Sequence, residues 1–147
     1  MTIIRVENRE QLEIAFDIRI AVFAEEQGVP VEDELDQYED EADHLLVYRD
    51  ERPVGTARLR QVDGIAKLER ICLLPDCRKF GLGRRIIAEL EQMARERGLT
   101  SAKLHAQVQA KGFYEKLGYT PASEDFMEEG IPHLVMVKEL GAAGGSE

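Results

Sequence analysis

Apolar residues recur at helical spacing in two long stretches of the chain and alternate with polar ones in several short stretches. Leu82, Ile86, Leu90, Met93 and Ala94, with Ile87 beside them, fall on one face of a helix that Gly98 can end. Leu12, Ala15, Phe16, Ile20, Val22 and Phe23 make a broad apolar stripe on an earlier helix. Asn8 and Gln11 before it are spaced as a capping box, and Gln27-Gly28 ahead of Pro30 should end it. Short strands are predicted at Ile3–Val6, His44–Arg49, Val54–Val62 and Ile65–Leu74, where Pro75 stops the run Ile71 to Leu74. Asp63-Gly64 is a two-residue hairpin turn between the last two. In Ser101–Gln107, Ala102, Leu104 and Ala106 alternate with Lys103, His105 and Gln107, which is strand periodicity. A helix over Val108–Leu117 stopped by Gly118, then strands at Tyr119–Ala122 and His133–Leu140, complete the series. Residues 1–140 are expected to form one domain and 141–147, Gly-Ala-Ala-Gly-Gly-Ser-Glu, a flexible tail.

Composition narrows the class. A chain of 147 residues, 44% hydrophobic, can bury a real core in one domain. A net charge of −10 argues against general binding to nucleic acid or anionic membranes. No apolar run approaches the ~20 residues of a membrane span, and no signal-peptide pattern opens the chain. Two cysteines without metal-ligand spacing point to a reducing, cytoplasmic setting and to no metal. Ten acidic residues lie between Glu25 and Asp43, with no Lys or Arg from Ile20 through Tyr48. The stretch lacks the alternating ligands and central glycine of a calcium loop. It reads either as a solvated acidic face or as a rim that attracts a cationic amine.

Chemistry concentrates where the strand ending at Leu74 meets the helix starting at Leu82. The first N–H groups of a helix have no partner inside it, and the dipole is positive there, so this junction is an anion site. Arg78, Lys79, Arg84 and Arg85 add positive charge in an otherwise acidic chain, which suits a phosphate. The glycines match neither the dinucleotide fingerprint nor the P-loop. Arg78-Lys79-Phe80-Gly81-Leu82-Gly83 does resemble the acetyl-CoA pyrophosphate loop of the GNAT N-acetyltransferase superfamily, Arg-x-x-Gly-x-Gly. Downstream, Gln107, Ala110 and Phe113-Tyr114-Glu115-Lys116-Leu117-Gly118-Tyr119 are similar to that family's Asn-x-x-Ala-x-x-Leu-Tyr-Glu-Lys-Leu-Gly-Phe. Two ordered motifs one strand apart are far more specific than either alone. The words from Val22 to Pro30 and the acids after them resemble a bacterial branch of the family whose substrates are mostly unassigned.

The resemblance, which extends from about Ile3 to Leu140, implies an α+β GNAT fold. Its central sheet is mixed and mostly antiparallel, with about six or seven strands and about four helices, splayed in the middle to admit acetyl-CoA. It implies acetyl-CoA as cosubstrate, an amine acceptor, and direct transfer of the acetyl group to a primary amine. A noncatalytic acyl-CoA-binding or regulatory module is the alternative. By carry-over, Ile71, Cys72 and Leu73 meet pantetheine through backbone, with the Leu73 N–H as oxyanion donor. Arg78, Lys79, Phe80, Gly81, Leu82, Gly83 and Arg84 hold the pyrophosphate, chiefly through main-chain N–H. Gln107 stands where the family often has a cofactor-contacting Asn, and one amide can replace another. Homodimers are common in the family, and the apolar run Leu134–Val137 is compatible with one.

Two side chains are candidate catalysts. A phenol with its pKa near ~10 keeps a proton at neutral pH and can give it to a departing thiolate. The family often keeps that acid at the position of Tyr114, although a tyrosine at this helical spacing also suits a core. Glu69, two residues before the pantetheine segment, is a candidate base, or else the partner of a structural ion pair with Arg58 or Arg70. His44, His105 and His133 are candidates of lower rank. Cys72 is a candidate acyl carrier with no adjacent His or Asp to activate it, and Cys77 is expected to be an exposed loop residue.

Overall fold

A computed structural model of the chain describes residues 2–29, 39, 42–78 and 81–141. Strand β1 (Thr2–Arg5) leads to helix α1 (Arg9–Arg19). Asn8 Oδ1 accepts from the Gln11 N–H at 2.8 Å, while Gln11 Oε1 accepts from the Glu7 N–H at 2.7 Å, one residue earlier than in a simple capping box. The helix does not run straight to Gln27. It widens into a π-helix over Ile20–Glu26, where the Gln27 N–H reaches back five residues to the Val22 carbonyl at 3.1 Å.

Strands β2 (Asp43–Arg49), β3 (Arg52–Val62) and β4 (Ile65–Leu73) follow as an antiparallel meander. The β3–β4 turn is Asp63-Gly64, with φ of 53° and 77°, the double left-handed conformation of a tight hairpin. A 3-10 turn at Pro75–Cys77 precedes helix α2 (Leu82–Glu96), and β5 (Ser101–Gln107) comes next with the bounds its alternation predicts. The helix expected over 108–117 is a 3-10 turn, Val108–Ala110, joined to a short α3, Lys111–Lys116. Strands β6 (Thr120–Pro121), β7 (Phe126–Glu128) and β8 (Ile131–Glu139) end the fold.

Among the described residues there are eight strands, ordered β1-β2-β3-β4-β5-β8-β6 with β7 also on β8, and three α-helices. This is the expected mixed, mostly antiparallel α+β sheet, with β7 unforeseen. Only β4 and β5 run parallel. Ala15, Ile18 and Val22 pack with Leu46 and Cys72 on one face of the sheet. Leu82, Ile86, Leu90 and Ala94 of α2 pack with Leu45, Leu59 and Leu104 on the other.

One expectation changes. Cys77 is fully buried in the α2-side core, because the 3-10 turn folds it inward. The apolar run Leu134–Val137 lies on β8, which is paired on both sides, and Leu134 and Met136 serve the chain's own core. Residues 142–147, expected as a tail, lie outside the described residues. No helix among the described residues is long and apolar enough to cross a membrane.

The contact between β3 and β4 is tight at Gly55. A Cβ there would lie 2.6 Å from Leu73 Cδ2 and 2.9 Å from the Cys72 carbonyl oxygen, and the latter is backbone that cannot rotate away. Gly55→Ala should therefore cost about 1–3 kcal/mol, as overpacking does. A drop in the urea midpoint of unfolding reads this directly, and a wild-type midpoint would contradict it.

Candidate active site

The parallel pairing of β4 and β5 is short. It holds at Ala66–Ala102, Lys67–Lys103 and Leu68–Leu104, and then the two strands part. On β4 the departure coincides with a bulge: Arg58 pairs Glu69 and Thr56 pairs Cys72, so Arg70 and Ile71 share the place of one residue opposite Ala57. Arg70 takes φ of 54°, the left-handed region. A cleft of about 720 Å³ fills the fork, lined by Ile71, Cys72 and Leu73 on one arm and His105 and Gln107 on the other.

The β4 arm presents backbone to this cleft. The Leu74 N–H is used on the Val54 carbonyl of β3 at 2.8 Å. Since successive groups along a strand point to opposite sides, the Leu73 N–H and C=O face the fork. The Leu73 carbonyl accepts there from Arg78 Nε at 3.0 Å. Arg78 is exposed and also donates two bonds to Glu26, at 2.7 and 2.8 Å. Gln27 lies beside Gln107, with its Oε1 accepting from Gln107 Nε2 at 3.4 Å. The end of the π-helix thus touches both lips of the cleft.

The start of α2 fits an anion. Gly81 is the N-cap, with φ of 69° and no side chain of its own to cap the first helical N–H groups. A Cβ on Gly81 would meet nothing within 4 Å, so backbone conformation is what calls for glycine there. At Gly83 a Cβ would press on Phe113 Cζ at 3.2 Å. Leu82 is buried in the core and Arg84 is exposed. Lys79 and Phe80, both expected at the cofactor, lie outside the described residues.

Tyr114, on α3, lines the same cleft. Its ring meets Phe113 at 5.0 Å and Tyr119 at 6.0 Å, both edge to face. Burial pushes the Tyr114 phenol up to about 12. Tyr119 is a different case, because its hydroxyl donates to Glu91 Oε2 at 2.8 Å inside the core.

Glu69 sits at the fork with its side chain 8% exposed and three cations around it. Arg58 Nη2 lies 2.8 Å and Arg60 Nε 2.8 Å from Oε1, and Lys67 Nζ lies 3.1 Å from Oε2. Burial by itself would raise the Glu69 carboxyl, but bonds from Arg60 and the charges of Arg58 and Lys67 outweigh it and hold it at about 2. Arg58, fully buried, also reaches Glu39 Oε2 at 3.1 Å, and Glu39 takes both Arg19 Nη atoms at 2.8 Å. Alternating charges therefore run from beneath α1 to the cleft. Glu39 is buried within the acidic segment, a role neither reading of that segment contained. Two arginines in buried stripes, Arg19 and Arg58, were the signal that an acid must join them.

The remaining histidines separate clearly. His44 is buried away from the cleft, with Nε2 on the Glu39 carbonyl at 2.9 Å, and burial pushes its imidazole below the ordinary value. His105 and His133 both line the cleft. Cys72 lines it too, and it is only 6% exposed.

Comparison with known proteins agrees with this geometry. Residues 6–140 match the family model described as an acetyltransferase (GNAT) domain. The uncharacterized N-acetyltransferase YjcF of Bacillus subtilis is 46% identical over 140 residues, covering 95% of this chain and 100% of that protein. The crystal structure of an acyl-CoA N-acyltransferase from Pseudomonas aeruginosa superposes with TM-score 0.85 at 24% identity, covering 94% of this chain and 99% of that one. The PaiA N-acetyltransferase of Thermoplasma acidophilum, solved in complex with coenzyme A, gives TM-score 0.67 at 20% identity, covering 95% and 99%. With a forked sheet and a family match over nearly its whole length, the chain belongs to the GNAT acetyltransferase family.

Proposed function

We propose that the protein transfers an acetyl group from acetyl-CoA directly to the primary amine of an acceptor, in the cytoplasm. The observation that carries this reading is the fork, in which the Leu73 N–H and the Tyr114 phenol border one cleft. Bound there, acetyl-CoA supplies an activated thioester. The Leu73 N–H would stabilise charge developing on the carbonyl oxygen. Tyr114, with a phenol at about 12, keeps its proton at neutral pH and would give it to the departing sulfur. The N-terminus of α2 with Gly81, Gly83 and Arg84 would take the pyrophosphate, and Arg78 would fix the Leu73 carbonyl beside it. Gln107 would reach the pantetheine arm from β5. Of the two roles open to Glu69, the ion pair has the stronger support, because a carboxyl held at about 2 by three cations accepts a proton poorly. We therefore assign Glu69 to holding Arg58, Arg60 and Lys67 in place at the fork.

Acetyl-CoA should raise the melting temperature, whereas ATP and NAD should not. A specific ligand at a hundredfold excess over Kd stabilises the folded state by ~2.7 kcal/mol. Release of CoA on a panel of primary amines then separates an enzyme from a module that binds acyl-CoA without turnover. Stabilisation by ATP or NAD in preference to acetyl-CoA would overturn the cosubstrate assignment.

A further inference from the structure

The Glu69 geometry leaves the proton of the attacking amine without an acceptor on β4. The opposite arm supplies one. His105 is the first residue of β5 beyond the last β4–β5 pair, Leu68–Leu104, so it stands at the apex of the fork. Strand alternation puts Ala102, Leu104 and Ala106 into the α2-side core and turns His105 and Gln107 to the face shared with Lys67 and Glu69. The His105 side chain is 28% exposed and borders the cleft.

Its orientation is fixed. His105 Nδ1 lies 2.7 Å from Glu128 Oε1, and Phe126 meets the imidazole edge to face at 5.3 Å. A carboxylate only accepts, so the Nδ1 atom must carry the hydrogen, and the lone pair of the neutral ring is then on Nε2. Phe126 is held in turn by stacking on His133 at 6.3 Å, and His133 Nδ1 is bound to the Ile131 carbonyl at 2.7 Å. The β7–β8 hairpin thus brackets the imidazole. Glu128, Glu129 and His133 of that hairpin line the cleft that the ring borders, as do Lys67, Glu69 and Arg70 of β4 and Arg58 and Arg60 of β3.

We infer that His105 is the catalytic residue that takes the proton from the acceptor amine, with Glu128 as its positioning residue. The amine nitrogen forms its bond to the thioester carbonyl carbon as the carbon–sulfur bond breaks. The nitrogen's proton goes to His105 Nε2, and the sulfur receives one from Tyr114. One proton is gained and one lost, so exchange with water restores both side chains without another reactant. The inference rests on the acetyl-transfer reading above.

The test uses the full chain, acetyl-CoA and whichever panel amine gives the highest rate of CoA release. His105→Gln should lower kcat roughly 100-fold or more, the range expected for losing a general base. It should leave the acetyl-CoA thermal shift intact, so that the loss falls on turnover and not on cofactor binding. Glu128→Gln should give a smaller loss of kcat with the amine KM unchanged, and Glu128→Asp should recover part of it, as expected of a carboxylate that orients the ring. A His105→Gln variant with kcat within about threefold of wild type overturns the assignment. If that variant binds no acetyl-CoA, a wild-type kcat in Glu128→Gln overturns it instead. Wild-type protein that releases no CoA with any amine overturns the acetyl-transfer reading itself, and this inference with it.

Discussion

Replacing Tyr114 by Phe should cut kcat by roughly 100-fold while the thermal shift produced by acetyl-CoA stays where it is. The substitution removes one hydroxyl and keeps the ring that packs on Phe113 and Tyr119. Among the described residues that hydroxyl has no hydrogen-bond partner, so its removal leaves no buried group unsatisfied and should cost little stability. What is lost is a proton donor that stays protonated at neutral pH, its phenol pushed up to about 12 by burial. Steady-state kinetics with acetyl-CoA and an accepted amine read the loss. An unchanged kcat would remove Tyr114 from the chemistry and return it to the core.

The second large effect falls on stability. Glu69→Gln should destabilise the fold at neutral pH by on the order of 3 kcal/mol, the worth of moving a carboxyl from its ordinary 4.5 to about 2. The cost arises because fully buried Arg58 loses a carboxylate partner, while Arg60 and Lys67 lose a countercharge they share. The pH dependence has a definite sign. A carboxyl lowered by folding adds stability that is fully present above 4.5 and is lost as pH falls towards 2. The gap between wild type and variant should therefore be widest at neutral pH and close progressively below 4.5. Urea midpoints at neutral and acidic pH measure it, and a gap that grows on acidification would refute the assignment.

Local signals in the sequence located the frame well. Alternation set the bounds of β5, and Asp63-Gly64 named both the place and the conformation of the hairpin turn. Gly98 and Gly118, with φ of 80° and 98°, mark the ends of two helices as expected. What escaped has no local signature. The apolar stripe of α1 continues smoothly through Val22 and Phe23, so an extra residue per turn leaves no trace in the pattern. The bulge at Arg70 puts a left-handed backbone on an arginine, where sequence reasoning looks for glycine. Glu39 hides among nine other acids, and only its partners reveal it as buried. His105 and Glu128 are 23 residues apart and meet because of a three-residue strand too short to show periodicity. The glycine loop and the motif around Tyr114 pointed to the family, whereas the pairing of His105 with Glu128 comes from tertiary contact alone.

The wide turn from Ile20 to Glu26 has a consequence for how this chain can vary in length. A π segment contains one residue more than an ordinary helix of the same reach. Deleting a single residue there should restore regular winding and leave both flanks facing as they do, so Ala15 and Ile18 keep their seats on the sheet and Glu26 and Gln27 keep theirs at the two lips. The regular helix α2 has no such slack, because a residue lost from it turns everything beyond by ~100°. The stretch from Ile20 to Glu26 is thus where one codon can be lost while the doorway stays put.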